Sequence, residues 1–175
     1  NKVRGHLERI GGFTDIPMEP IIGMDEPYHY RNKAQFPVGR NKEGKIITGF
    51  YAGRTHTIIE NRDCALGIPQ NKEVLDRVIS HMEKYNIEPY NEMTGQGLVR
   101  HILIRYGYFT KELMVCLILN GNKIPREELL VSSLREIHGM TSITINVNKK
   151  RNNVILGDKI RLLWGQDYIT DKIGD

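Results

Sequence analysis

Tyr28-His29-Tyr30-Arg31-Asn32-Lys33-Ala34-Gln35-Phe36-Pro37-Val38 sets polar and apolar side chains in near-regular alternation. Its residues alternate: His29, Arg31, Lys33 and Gln35 share one face, while Tyr28, Tyr30, Ala34, Phe36 and Val38 share the other, with Asn32 the exception on the apolar side. A period of two is that of a strand with one packed and one wet face. The segment therefore predicts a half-buried strand with a basic outer face and its aromatics in the core. Gly39–Gly44 supplies a turn and Lys45–Ala52 a returning strand, so Arg31, Lys33, Arg40, Lys42 and Lys45, opposed only by Glu43, fall on one hairpin. A third strand is expected over His56–Glu60.

Working outward, Val3, Leu7 and Ile10 give a short amphipathic helix closed by Gly11-Gly12, and the proline-bearing stretch Phe13–Pro27 reads as loop. That first helix could equally be an arm of a neighbouring domain. Pro69 suits the first turn of a second helix whose Val74, Leu75, Val78, Ile79 and Met82 form one face up to Tyr85. After the Asn86–Gly97 loop, Leu98–Tyr106 and Glu112–Leu119 make a second hairpin, the latter strand apolar on both faces. Pro125 opens a third helix with Leu129, Leu130, Leu134 and Ile137 inward, ended by Gly139. Ile143, Ile145 and Val147 alternate with polar residues, and short strands are expected at Asn153–Leu156, Lys159–Trp164 and Tyr168–Ile173. The sum is a single α+β domain with a mostly antiparallel sheet and about three helices.

The 175 residues, 39% hydrophobic and 26% charged, suit one compact domain and argue against disorder. A chain of this size buries roughly 70% of its unfolded surface, enough for a core without disulfide or metal staples. The most apolar stretch, Leu113–Leu119, falls well short of the roughly 18 residues of a membrane span. Nothing resembling a signal-peptide core follows Asn1-Lys2-Val3-Arg4, and the terminal alternation ending at Asp175 carries no stop signal. A soluble, cytoplasmic chain cut from a longer one is expected. A net charge of +4 is too mild to imply nucleic acid, so the placement of charge matters more, including a second cluster at Lys149-Lys150-Arg151.

Cys64 and Cys116 stand 52 positions apart with no C-x-x-C, which excludes a complete metal site. Cys116, within Leu113–Leu119, reads as a buried hydrophobe; Cys64, after Glu60-Asn61-Arg62-Asp63, is the only candidate ligand. Gly95-Gln96-Gly97 follows a loop and opens a strand, so it reads as a turn and not as a nucleotide loop. Arg100-His101, with Arg105 further along, offers phosphate or base contacts on one reading and cross-strand pairing on the other. His101 shares a face with Val99, Leu103 and Arg105, as a satisfied, partly buried histidine would. Cations neutralise phosphates and aromatics stack unpaired bases. Alternation puts most of the hairpin's aromatics opposite its cations, leaving the cationic face for RNA.

Tyr30-Arg31-Asn32-Lys33-Ala34-Gln35-Phe36-Pro37 resembles the Y-R-x-(K/R)-x-x-(F/L) strand in the central domain of the bacterial RNA (uracil-5-)-methyltransferases. Gly49-Phe50-Tyr51, Ile58-Ile59, Asp63-Cys64, Leu98–Arg105, Asn152–Gly157 and Leu163-Trp164-Gly165 follow in the family's order, so the likeness covers nearly the whole chain. The resemblance implies a central domain placed between an N-terminal OB-like domain with a cysteine cluster and a C-terminal Rossmann-like domain that binds S-adenosylmethionine. On this likeness the substrate is RNA, preferentially 23S ribosomal RNA, methylated at C5 of uridine. The nucleophilic cysteine would lie beyond Asp175, leaving no catalytic residue and no cofactor in these residues. Arg31, Lys33, Gln35 and Arg100 are the implied RNA-facing residues. Gln35 departs from the basic residue often found there and cannot neutralise a phosphate. Cys64 matches the last of four cysteines that hold a [4Fe–4S] cluster in cluster-bearing members. The alternative is a stand-alone RNA-binding module without catalysis.

Overall fold

The computed structural model describes residues 2–174. Their elements run α1 (Lys2–Arg9), β1 (Lys33–Arg40), β2 (Ile46–Tyr51), β3 (Ile58–Glu60), α2 (Gln70–Lys84), β4 (Val99–Tyr106), β5 (Leu113–Leu119), α3 (Glu127–Arg135), β6 (Met140–Val147) and β7 (Lys159–Gly165). The strands form one sheet in the order β3-β2-β1-β4-β5-β6-β7.

The sheet is mostly antiparallel, as expected, and mixed: β5 and β6 pair in parallel while the other neighbours are antiparallel. The cause is connectivity. A tight turn reverses the chain, whereas α3 carries it back so that β6 enters beside β5 in the same direction.

Val74, Leu75, Val78, Ile79 and Met82 of α2, with Leu130, Leu134 and Ile137 in and just after α3, cover one face of the sheet. Leu129 instead faces solvent. Beneath the helices lie Phe36, Val38, Ile102, Ile104, Val115, Leu117, Leu119, Ile143 and Ile145. The other face of β5 is dry too, Cys116 and Ile118 packing with Leu103 and Ile155. A strand covered on both sides has no room for polar side chains.

Pro37 sits where β1 changes partners. Lys33–Pro37 pair with Arg105–His101 of β4, and Val38–Arg40 pair with Thr48–Ile46 of β2. A proline has no N–H to give a ladder, and here the ladder changes sides at that residue. The Pro37 carbonyl accepts a hydrogen bond from the Thr48 hydroxyl at 2.9 Å.

Two expected strands are absent. Asn146 and Asn148 hold the 153–157 stretch from their side chains: Asn148 Nδ2 donates to the carbonyls of Val154 and Ile155, and Asn146 Nδ2 to that of Gly157. Near the C-terminus, the Thr170 N–H donates to Glu112, and the Asp171 carboxylate accepts from the N–H groups of Tyr108 and Phe109. Side chains here replace a backbone ladder. α1 forms as expected, with Gly12 at φ 68°, but buries none of its residues. No helix among the described residues is long and apolar enough to cross a membrane.

Leu117→Ala should lower unfolding stability by about 2–5 kcal/mol, since neighbours on both faces of β5 prevent collapse around the deleted atoms. Denaturant titration measures it; a loss below about 1 kcal/mol would mean that β5 does not centre the core.

Candidate nucleic-acid interface

On the sheet face away from α2 and α3, cross-strand register builds three rows. Lys33, Arg105, Met114 and Ser142 form the first; Gln35, Leu103, Cys116 and Thr144 the second; Pro37, His101, Ile118 and Asn146 the third. Lys33 and Arg105 are exposed, Gln35 is half-buried, and the whole third row is buried. The face thus passes from wet to dry along β1.

Arg31 lies one step before this ladder. His29 and Arg31 donate their N–H groups to the carbonyls of Ala65 and Leu66, each at 2.9 Å, and His29 Nδ1 lies 2.6 Å from the Gly67 oxygen. The Cys64–Gly67 turn therefore runs beside Arg31. This pairing corrects the expected extent of the first strand, which begins at Lys33 and not at Tyr28. Its backbone bonded to a turn, the 28–31 segment lies outside the sheet, and Tyr28 and Tyr30 are exposed, contrary to their expected place in the core.

The basic hairpin is not one patch. Lys33 and Arg40 stand at opposite ends of β1, about 23 Å apart at strand rise. Arg40 engages Glu88 through two hydrogen bonds of 2.7 and 2.9 Å, and Lys45 lies 3.8 Å from Glu60. Among the described residues, Arg31, Lys33, Lys42 and Arg105 have no carboxylate partner. The second cluster is dispersed as well. Lys150 pairs with Asp158 at 2.8 Å, and Arg151 lies against Gly95.

Arg100 occupies the bulge between Val99 and His101. Only 4% exposed, it donates to the carbonyls of Asn148 and Lys150 at 3.1 and 2.8 Å, with its guanidinium over the Tyr90 ring. It ties the loop after β6 to β4. His101 is 6% exposed, and neither ring nitrogen has a hydrogen-bond partner, so it is buried but not satisfied as expected. Burial, aided by the neighbouring Arg100 charge, lowers its pKa to about 4 and keeps the ring neutral at neutral pH.

Cys116 is buried, and burial pushes its thiol up, as suits a core residue and not a nucleophile. Cys64 is half-buried, and among the described residues no three His, Cys, Asp or Glu side chains gather. One thiolate cannot hold a [4Fe–4S] cluster, so these residues do not by themselves fit one. Gly97 adopts φ 94°, and a Cβ there would collide with the Pro89 carbonyl oxygen, the mark of a close turn before β4. The sequence offers Arg105 as a possible phosphate contact but not its place opposite Lys33. Only the register between β1 and β4, strands far apart in the chain, reveals it.

No family model matches the chain. It is 41% identical over 176 residues to an uncharacterized RNA methyltransferase of Oceanobacillus iheyensis and 44% identical over 175 residues to one of Halalkalibacterium halodurans. Each match covers 99% of this chain and 38% of the relative, so the chain spans well under half the length of these proteins. Among solved structures, the tRNA (uracil-54, C5)-methyltransferase of Pyrococcus abyssi in complex with S-adenosyl-L-homocysteine superposes with a TM-score of 0.72. That match covers 97% of this chain and 38% of that one at 24% identity, a likeness of fold.

His101 makes stability depend on pH. Unfolded, the ring titrates near its ordinary value, about 6.5; folded, it titrates at about 4. The unfolded state therefore binds the proton first, and stability falls as pH drops from above the unfolded value through the folded one, by on the order of 3 kcal/mol. Urea unfolding of His101→Gln between pH 7.5 and 4 should show this part of the slope gone. An unchanged slope would refute the assignment.

Proposed function

With the chain standing as a relative of bacterial RNA methyltransferases along 99% of its length, we propose that it is their central, RNA-holding domain. The parent on this reading is cytoplasmic and methylates C5 of uridine, in 23S ribosomal RNA. The observation that carries the reading is the cationic edge of Arg31 and Lys33, exposed beside Gln35 with no carboxylate of the described chain to neutralise it. Uncompensated cations at one sheet edge serve to displace the counterions of a phosphate backbone. The uracil C5 assignment draws on the motifs of the 28–37 stretch and agrees with the fold of the archaeal enzyme.

S-adenosylmethionine would supply the methyl group, and both it and the attacking thiolate belong, in this proposal, to a domain outside these residues. The work of the present residues is to bind and orient. Arg31 and Lys33 grip phosphates, Gln35 offers a neutral donor and acceptor that can read a base or sugar edge, and Arg100 positions the loop after β6 instead of touching RNA. Cys64, beside Arg31 through the 29–31 to 65–67 pairing, would contribute one thiolate to a cluster completed from elsewhere.

Arg31→Gln with Lys33→Gln in the full-length protein should weaken binding of an RNA hairpin and reduce the slope of log affinity against log salt by about 1.5. An unchanged slope would remove these residues from the interface. The isolated chain should purify without stoichiometric iron; a full cluster in it would overturn the single-thiolate role of Cys64.

A further inference from the structure

The pairing of β1 with β4 sets Lys33 directly opposite Arg105. Like charges at opposed positions of a ladder repel and weaken the fold. Nothing in the row relieves them: its next members are Met114 and Ser142, and the adjoining row holds Gln35, Leu103, Cys116 and Thr144. Among the described residues neither cation has an ion-pair or side-chain hydrogen-bond partner, although most other arginines of the sheet do, Arg40 with Glu88 and Arg161 with Glu127 among them. Solvent ions or a bound anion are left to screen them.

We propose that Lys33 and Arg105 form a two-armed clamp on a single backbone phosphate of RNA, with Arg105 an RNA-contacting residue in its own right. This rests on the RNA-binding reading above. The Cβ atoms of directly opposed strand residues lie about 4.5–5.5 Å apart, so both cationic heads reach one phosphate. Their chemistries are complementary: a guanidinium gives a planar fork to the two non-bridging oxygens of a phosphodiester, and an ammonium adds a compact charge beside one of the same oxygens. The surroundings favour RNA over a free anion. Arg105 leads into the β4–β5 turn, where Tyr108 and Phe109 stand exposed edge to face at 5.5 Å, held by the Asp171 carboxylate. Exposed aromatic rings beside a phosphate grip are what the bases flanking that phosphate would stack on.

The test compares Lys33→Gln, Arg105→Gln and their double variant with wild type in the full-length protein, with Arg31→Gln as the reference for RNA binding, reading affinity for an RNA hairpin across a salt titration and the melting temperature without RNA. Each single variant should lose about tenfold in affinity. The double should lose little more than either single, because one phosphate is shared. Each single should also melt higher than wild type, as repulsion is relieved, a gain that a merely structural arginine would not give. Arg105→Gln binding like wild type while Arg31→Gln is weakened would overturn the clamp and leave the RNA-binding reading standing. Unchanged affinity in all of these variants would overturn both. Losses that multiply in the double variant would mean two separate phosphates and end the shared grip. Inorganic phosphate stabilising wild type but not the double, with RNA affinity unchanged, would make this a free-anion site.

Discussion

Every other element is arranged around β5, a strand with no side for water. Leu113, Val115, Leu117 and Leu119 face the helices, and Cys116 and Ile118 face a second cluster. Because both faces must be dry, both edges must be paired, which requires β4 on one side and β6 on the other. Burying a leucine contributes about 1.5–3 kcal/mol, so this one strand supplies much of what offsets the entropy of ordering its neighbours. The polar work is thereby displaced outward, to the ends of β1 and β4 and to the loops.

That displacement explains the electrostatic character of the molecule. Several buried polar groups are turned to internal use: Arg100 is consumed by two carbonyls and an aromatic ring, and Asn146 and Asn148 by the 153–157 loop. Arg31, Lys33 and Arg105, among the cations without a carboxylate partner, stand together where the sheet face opens. A net charge of only +4 conceals this sorting, because neutralised and free cations count alike in a sum.

The parts legible in the sequence were those fixed by local periodicity. The α2 stripe of Val74, Leu75, Val78, Ile79 and Met82 is buried as its spacing requires, and Leu113–Leu119 is a doubly covered strand. The one parallel pairing, β5 with β6, is what makes the sheet mostly and not wholly antiparallel, and it follows from the strand–helix–strand order around α3. Other features depend on partners distant in the chain. Tyr28 and Tyr30 alternate like core residues, but their backbone is claimed by the 65–67 turn; Tyr168–Ile173 alternates like a strand, but Asp171 and Glu112 claim its neighbourhood. At the candidate site Arg31, Lys33 and Gln35 lay within one motif. Arg105 joined them only through the ladder, and no local pattern distinguished the buried Arg100 from a surface arginine.

The change of partners at Pro37 has a mechanical consequence. Since β1 pairs with β4 before that residue and with β2 after it, the β2–β3 hairpin joins the sheet's backbone ladder only through Val38–Arg40. A pull on the turn at Lys42 is therefore carried by those few rungs and by packing such as that of Phe50 on Phe36. The same pull at Lys33 meets the full width of β4, β5 and β6. One strand thus has two kinds of anchorage: its Lys33 end is tied into the broad part of the sheet, and its Arg40 end is tied by three rungs, by core packing and by the Glu88 ion pair.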